Sequence, residues 1–221
     1  MLKRIMKKLI QGVREVNMIK NIIFDFGNII VRFNPDEMTS YYTNDNNTKK
    51  FLVDNVINSP EWLGEGKLDL GDISLEEMAN NINKRTNYIH EKEVYNFSTD
   101  FPNKLKYNGN IIETIKKLKA LGYNLYLLSN TSDEVFCNFI DDLSPLFDGM
   151  VLSYKIHEIK PNKPIYEYLL NKYNLNPEEC LFLDDRLDNI DTANSFGIKG
   201  RKVNKDDYED IIKVLKEFNI L

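Results

Sequence analysis

An alternation of short β-branched or aromatic runs with charged stretches of helical periodicity constrains this chain more than any other feature. Residues 20–26, 124–130, 149–153, 180–185 and 199–203 read as strands, and residues 108–121, 132–143, 163–173, 188–196 and 206–218 as helices. Strands separated by helices pair in parallel through crossovers, so the expected class is α/β with a Rossmann-like parallel sheet core. The stretch after the first strand breaks this rhythm. It is rich in Asn, Glu, Lys and aromatics, with helical pieces near residues 36–56 and 74–85. The expected division is an N-terminal extension over residues 1–17, a core formed by 18–34 and 108–221, and a helical cap over 35–107 inserted after the first strand.

The 221 residues suffice for one large domain or a core with a smaller inserted unit. The longest apolar runs are strand-sized, far short of the ~20 residues that cross a bilayer, so no membrane span is expected. Cys137 and Cys180 lie far apart without companions, which fits neither a zinc site nor a disulfide framework and accords with a reducing cytoplasm. A net charge of -5 argues against general nucleic-acid binding, which needs a clustered basic surface. The one basic cluster, Lys3, Arg4, Lys7, Lys8 and Arg14, lies in the extension among apolar residues at helical spacing. An extra helix, a natural start at Met18 and a membrane-surface helix all fit it. No catalytic role is expected of it.

Three of the strands end in residues able to carry chemistry, and open α/β sheets bind ligands at the carboxyl edge. The first ends in Phe24-Asp25-Phe26-Gly27-Asn28, which also reads as a turn built on Asp and Gly. Asp25-Phe26-Gly27 matches a kinase metal-binding tripeptide, but only 24 residues precede it, too few for the other kinase elements. The second ends in Leu128-Ser129-Asn130-Thr131-Ser132, where hydroxyl, amide and backbone N–H groups at a helix start suit an anion, and where Ser132 or Thr131 also suits an ordinary N-cap. A later one ends in Leu183-Asp184-Asp185, two adjacent carboxylates after a buried run. Burial and mutual repulsion disfavour their charged forms unless a cation is present. Between these, Lys160 precedes Pro161, which keeps the lysine extended and able to aim inward.

Taken in order, Asp25, Ser129-Asn130, Lys160-Pro161 and Asp184-Asp185 resemble the four motifs of the haloacid dehalogenase-like hydrolase superfamily. The local sequence Ile23–Ile30 together with Asp184, Asp185, Asp188 and Asn189 looks closest to the subgroup of bacterial glucose-1-phosphate phosphatases and the phosphatase domain of soluble epoxide hydrolase. The resemblance implies a phosphatase for a small phosphorylated metabolite, with sugar phosphates the class suggested by the subgroup. Asp25 would be the nucleophile that becomes an aspartyl-phosphate. Ser129 and Asn130 would bind the phosphoryl group, and Lys160 would neutralise it together with Asp25. Magnesium would bind Asp25, Asp185 and the Gly27 carbonyl, with Asp184 a further ligand or a partner of the ligands.

One position departs from the pattern. Most phosphatases of the superfamily carry a second aspartate two residues after the nucleophile, where this chain has Gly27. Without an acid there, rates should depend strongly on the leaving group. Gly27 also permits the carbon-centred chemistry of a dehalogenase, and a non-catalytic metabolite-binding domain is a third reading. Intact Asp25, Lys160, Asp184 and Asp185 favour the phosphatase.

Overall fold

The computed structural model describes residues 18–63, 67–205 and 207–221, so the basic extension lies outside the described residues. Strand β1 (Asn21–Phe24) occupies the middle of a sheet whose other core members are β4 (Asn124–Ser129), β5 (Gly149–Leu152), β6 (Cys180–Asp184) and β7 (Lys199–Lys202), in the order β5-β4-β1-β6-β7 with every pairing parallel. The five strands coincide with the sequence expectation to within two residues at each end.

The register explains why the interior positions of the central strands are apolar. Ile22, Leu125 and Leu181 are paired neighbours, and their side chains join a cluster on one face with Ile115 and Leu118 of the helix Ile111–Ala120 and Ile211 and Leu215 of the helix Tyr208–Glu217. Ile23, Tyr126 and Phe182, one step on, join Ile165, Tyr166 and Leu169 of Lys163–Lys172 and Ile190 and Ala193 of Leu187–Ser195 on the other. Helices on both faces leave no solvated side, and each buried Leu, Ile or Phe contributes about 1.5–3 kcal/mol.

After β1 the chain turns at Asn28 (φ 59°) into β2 (Val31–Arg32), which pairs antiparallel with β3 (Lys106–Tyr107). This two-stranded ribbon is both the exit to and the return from the helical segment between them. Pro35–Ser40 is started by Asn34, whose side chain accepts from the N–H groups of Asp36 and Glu37, with proline in the first turn. Leu75–Arg85 begins with a reciprocal capping box between Ser74 and Glu77. The Leu75 N–H is held at 2.8 Å by Glu134 of the α/β part, which ties the two parts together.

Two helical expectations need correction. Residues 132–143 form two short helices, Asp133–Phe136 and Ile140–Leu143, and the break turns the rings of both Phe136 and Phe139 edge-on to Phe26, with centroids at 5.3 and 5.2 Å. The helix Glu91–Asp100 was not anticipated, because it starts after a left-handed His90 (φ 56°) with no side-chain cap to announce it.

Candidate active site

The ends of β1, β4 and β6 deliver the motif residues to one edge of the sheet. Asp25 follows β1 directly, and its N–H continues the ladder by donating to the Leu183 carbonyl at 2.9 Å. Asp184 closes β6, and Asp185 is the next residue. Ligand oxygens of Asp25, Asp184 and Asp185 all lie within 4.8 Å of one another. Between two of them sits the Lys160 ammonium, 2.6 Å from Asp25 Oδ1 and 2.8 Å from Asp184 Oδ2, with its residue only 3% exposed.

The two adjacent carboxylates are held very differently. Asp184 is fully buried and accepts from Lys160 Nζ, from the Arg186 N–H at 2.8 Å and from the Asn189 amide at 2.9 and 3.0 Å. Asp185 is only partly covered and accepts one side-chain hydrogen bond, from Asn28 at 2.9 Å. The left-handed turn at Asn28 lets its side-chain NH2 face Asp185 while its side-chain oxygen Oδ1 accepts from the Phe33 N–H at 3.2 Å. Asp185 thus keeps lone pairs for an incoming cation, and Asp184 is engaged in fixing Lys160 and the turn after β6.

Charge is unbalanced here. Three carboxylates face one ammonium, and at separations near 4.8 Å each carboxylate pair repels by about 3 kcal/mol in a medium of effective dielectric ~20. Burial, with the charges of Asp184 and Asp185, pushes the Asp25 carboxyl up to about 7 although Lys160 pulls it down. Burial, then Asp184, also raises Asp185 against the opposing pull of Asn28 and Lys160. Burial alone would lower the Lys160 pKa, but Asp184 and Asp25 outweigh it, so the lysine stays charged. The donor set is all oxygen, which fits a hard divalent cation.

The second motif is laid out in two ways. Ser129 is wholly buried, and its hydroxyl has no hydrogen-bond partner among the described residues. Asn130 instead clamps the lysine backbone, donating to the Lys160 carbonyl at 2.9 Å and accepting from its N–H at 2.8 Å. Ser132 caps the short helix after it, accepting from Val135 N–H.

A cavity of about 510 Å³ opens over these residues. Asp25, Gly27, Asn130, Lys160 and Asp185 line its floor, whereas Ser129 does not reach its wall. Its roof comes from the helical segment. There Trp62 lies 5.5 Å from Phe33 and 4.5 Å from Phe101, an aromatic wall beside Asn58 and Asp69. Sequence reasoning did not single out Asn28, Asn189 or Asp69 as site residues. Asn28 and Asn189 stood beside the motif acids, and their short amides next to paired carboxylates were the available signal. Asp69 had none.

Known proteins resemble this chain in sequence and in fold. A D-ribitol-5-phosphate phosphatase of Bacteroides thetaiotaomicron is 28% identical over 82% of this chain and 90% of its own length. A solved HAD family enzyme of the same organism, in complex with magnesium and inorganic phosphate, matches 87% of this chain and 98% of its own with a TM-score of 0.66 at 21% identity. The L-2-haloacid dehalogenase of Xanthobacter autotrophicus, with chloropropionic acid covalently bound, matches 92% of this chain and 85% of its own at a TM-score of 0.62 and 15% identity. The model of haloacid dehalogenase-like hydrolases matches residues 22–203, from the first strand through the last, and the chain belongs to that family.

Proposed function

We propose that this hydrolase removes phosphate from a small phosphomonoester through an aspartyl-phosphate on Asp25. The observation that carries the reading is the buried Lys160 between Asp25 and Asp184, with Asp185 close by: one ammonium cannot balance three carboxylates and a phosphate. Asp25, Asp185 and the Gly27 carbonyl would hold a magnesium ion, with Asp184 fixing the surrounding residues. Bound there, the metal offsets the negative charge of the phosphoryl group and of its neighbours. The Lys160 ammonium binds the phosphoryl oxygens, and Asn130 sets the position of the lysine through its backbone. Asp25 Oδ attacks phosphorus, the ester oxygen leaves, and water then releases inorganic phosphate from Asp25.

Residues 35–107 act as a cap in this reading. Their aromatic wall closes the cavity over the floor, excludes bulk water and limits the substrate to a small molecule. A sugar or polyol phosphate fits the mixed lining, since Trp62 offers a ring face and Asn58 and Asp69 offer polar groups for hydroxyls. The phosphate esters handled by relatives such as the ribitol-5-phosphate enzyme are of this class.

Hydrolysis of a chromogenic aryl phosphate, with magnesium and in excess chelator, tests the reading. Activity that requires magnesium is expected. Halide release from 2-haloacids with full activity in chelator would instead establish carbon-centred hydrolysis.

A further inference from the structure

Gly27 leaves the proposed phosphatase without the acid that most phosphatases of its superfamily carry at that position, and lack of room is not the cause. A Cβ placed on Gly27 meets nothing within 4 Å, and the backbone there is not in the left-handed region. A proton donor has to come from another wall of the same cavity. Among the described residues lining it, the carboxyl groups are Asp25, Asp185 and Asp69, and the first two face the cation site.

Asp69 lies on the short turn Leu68–Leu70 of the helical segment, far from the motifs in sequence. The turn is fastened to the sheet edge. The Ser153 hydroxyl accepts from the Thr131 N–H at 2.9 Å and donates to the Asp69 carbonyl oxygen, which couples this residue to the loop following Ser129 and Asn130. Two residues on, Gly71 is left-handed (φ 76°), and a Cβ there would come within 2.8 Å of Tyr154, so only glycine lets the turn rest on the helix Ser153–Ile156. Asp72 pairs with His157 of the following loop at 3.3 Å. The Asp69 side chain is thus held in the cavity wall within electrostatic reach of Lys160 and beside the Trp62 indole.

We propose, resting on the phosphatase function above, that Asp69 is the general acid and base of this enzyme in place of a residue at position 27. In the first step Asp25 Oδ forms a bond to phosphorus as the ester P–O bond breaks. The electron pair goes to the leaving oxygen, which takes the Asp69 proton and departs as an alcohol. In the second, the Asp69 carboxylate takes a proton from water while the water oxygen bonds to phosphorus. The bond to Asp25 breaks, and inorganic phosphate, the Asp25 carboxylate and protonated Asp69 result. Burial pushes the Asp69 carboxyl up to about 7, against Lys160, the Trp62 indole and Arg186, so both protonation states exist near neutrality. The charged groups sharing the cavity with it are Lys160, Arg186, Asp25 and Asp185 from the sheet edge and Lys205 from the loop after β7; Lys67 and Asp72 flank it on its own turn, and Lys155 and His157 lie on the segment beneath.

This assignment reverses the strong leaving-group dependence expected from Gly27. The test is release of the leaving alcohol in a single turnover, which reads the first step alone, by the full chain with magnesium over a series from p-nitrophenyl phosphate to simple alkyl phosphates. The unaltered chain is expected to depend weakly on leaving-group pKa. Asp69→Asn is expected to lose about 10²–10⁴-fold on alkyl phosphates and little on p-nitrophenyl phosphate, whose leaving group needs no proton. Alkyl phosphate cleavage by the unaltered chain should fall as pH rises through about 7, because the acid must be protonated, and that limb should vanish in Asp69→Asn. Adding Gly27→Asp to Asp69→Asn should recover alkyl phosphate cleavage. Steep leaving-group dependence in the unaltered chain, or a loss in Asp69→Asn that is uniform across the series, overturns the assignment and leaves the phosphatase reading standing. Failure of the unaltered chain to cleave any of these esters overturns the phosphatase reading and this proposal together.

Discussion

Among the described residues charge is buried in two places, and they are built on opposite plans. In the helical segment, Arg85 meets Glu61 through two parallel hydrogen bonds at 2.8 and 3.2 Å and also donates to the Asn55 carbonyl at 2.8 Å. One cation balances one anion, and the pair joins the helices Pro60–Leu63 and Leu75–Arg85 to the turn before them. At the sheet edge, one ammonium faces three carboxylates, and burial leaves the Asp25 carboxyl at about 7. The balanced pair is complete without help. The unbalanced cluster keeps a repulsion that a proton or a bound cation relieves, as expected of the magnesium site in the proposed function.

Replacements at both places sharpen this contrast. Asp25→Asn should fold normally and lose turnover by a factor on the order of 10⁴ or more, because an amide offers no attacking oxygen; single-turnover kinetics measures it. Lys160→Met leaves Asp25 and Asp184 buried without their cation. It should lower metal-free stability by about 3–5 kcal/mol in chemical denaturation and abolish phosphate binding, while magnesium still binds and restores part of the stability.

Asp185→Asn removes a direct ligand and one repelling charge. Its metal-free melting temperature should rise, and its magnesium affinity should fall more than that of Asp184→Asn, for which about 10–100-fold is expected from loss of an orienting partner; calorimetric titration compares the two. Arg85→Ala should have the smallest effect, about 1–3 kcal/mol of stability, since the arginine side chain is 37% exposed while Glu61 is left buried. Replacing Arg85 and Glu61 together by apolar residues of similar volume should recover most of that loss, as expected for a balanced pair. A similar apolar replacement of Lys160 with Asp184 should not recover activity.

The core and its catalytic edge were legible because of how parallel sheets are buried. A strand covered on both faces must be apolar throughout, so a polar residue at its end stands out, as Asp25, Ser129 and Asp184 do. The positioning amides were harder to see. Asn28 and Asn189 act through backbone turns and side-chain directions that only the folded chain defines. The sequence suggests Asn130 as a phosphoryl ligand, and the geometry gives its amide a duty the sequence did not announce, the clamp on the Lys160 backbone. Asp69 was invisible for a further reason. It is one acid among many in a polar stretch, and its place in the cavity depends on a Ser153 contact 84 residues away. The helix Glu91–Asp100 escaped because its amphipathic face is short and its start lacks a capping residue.

The central claim is that the Asp25 carboxylate becomes covalently phosphorylated. The most direct measurement is to quench the full chain during turnover of p-nitrophenyl phosphate with magnesium, reduce with borohydride, and sequence the peptides by mass spectrometry. An acyl-phosphate on Asp25 is reduced to homoserine at position 25, and that product is the expected result. Labelling of a different residue, or steady turnover with position 25 remaining aspartate at every quench time, would contradict it.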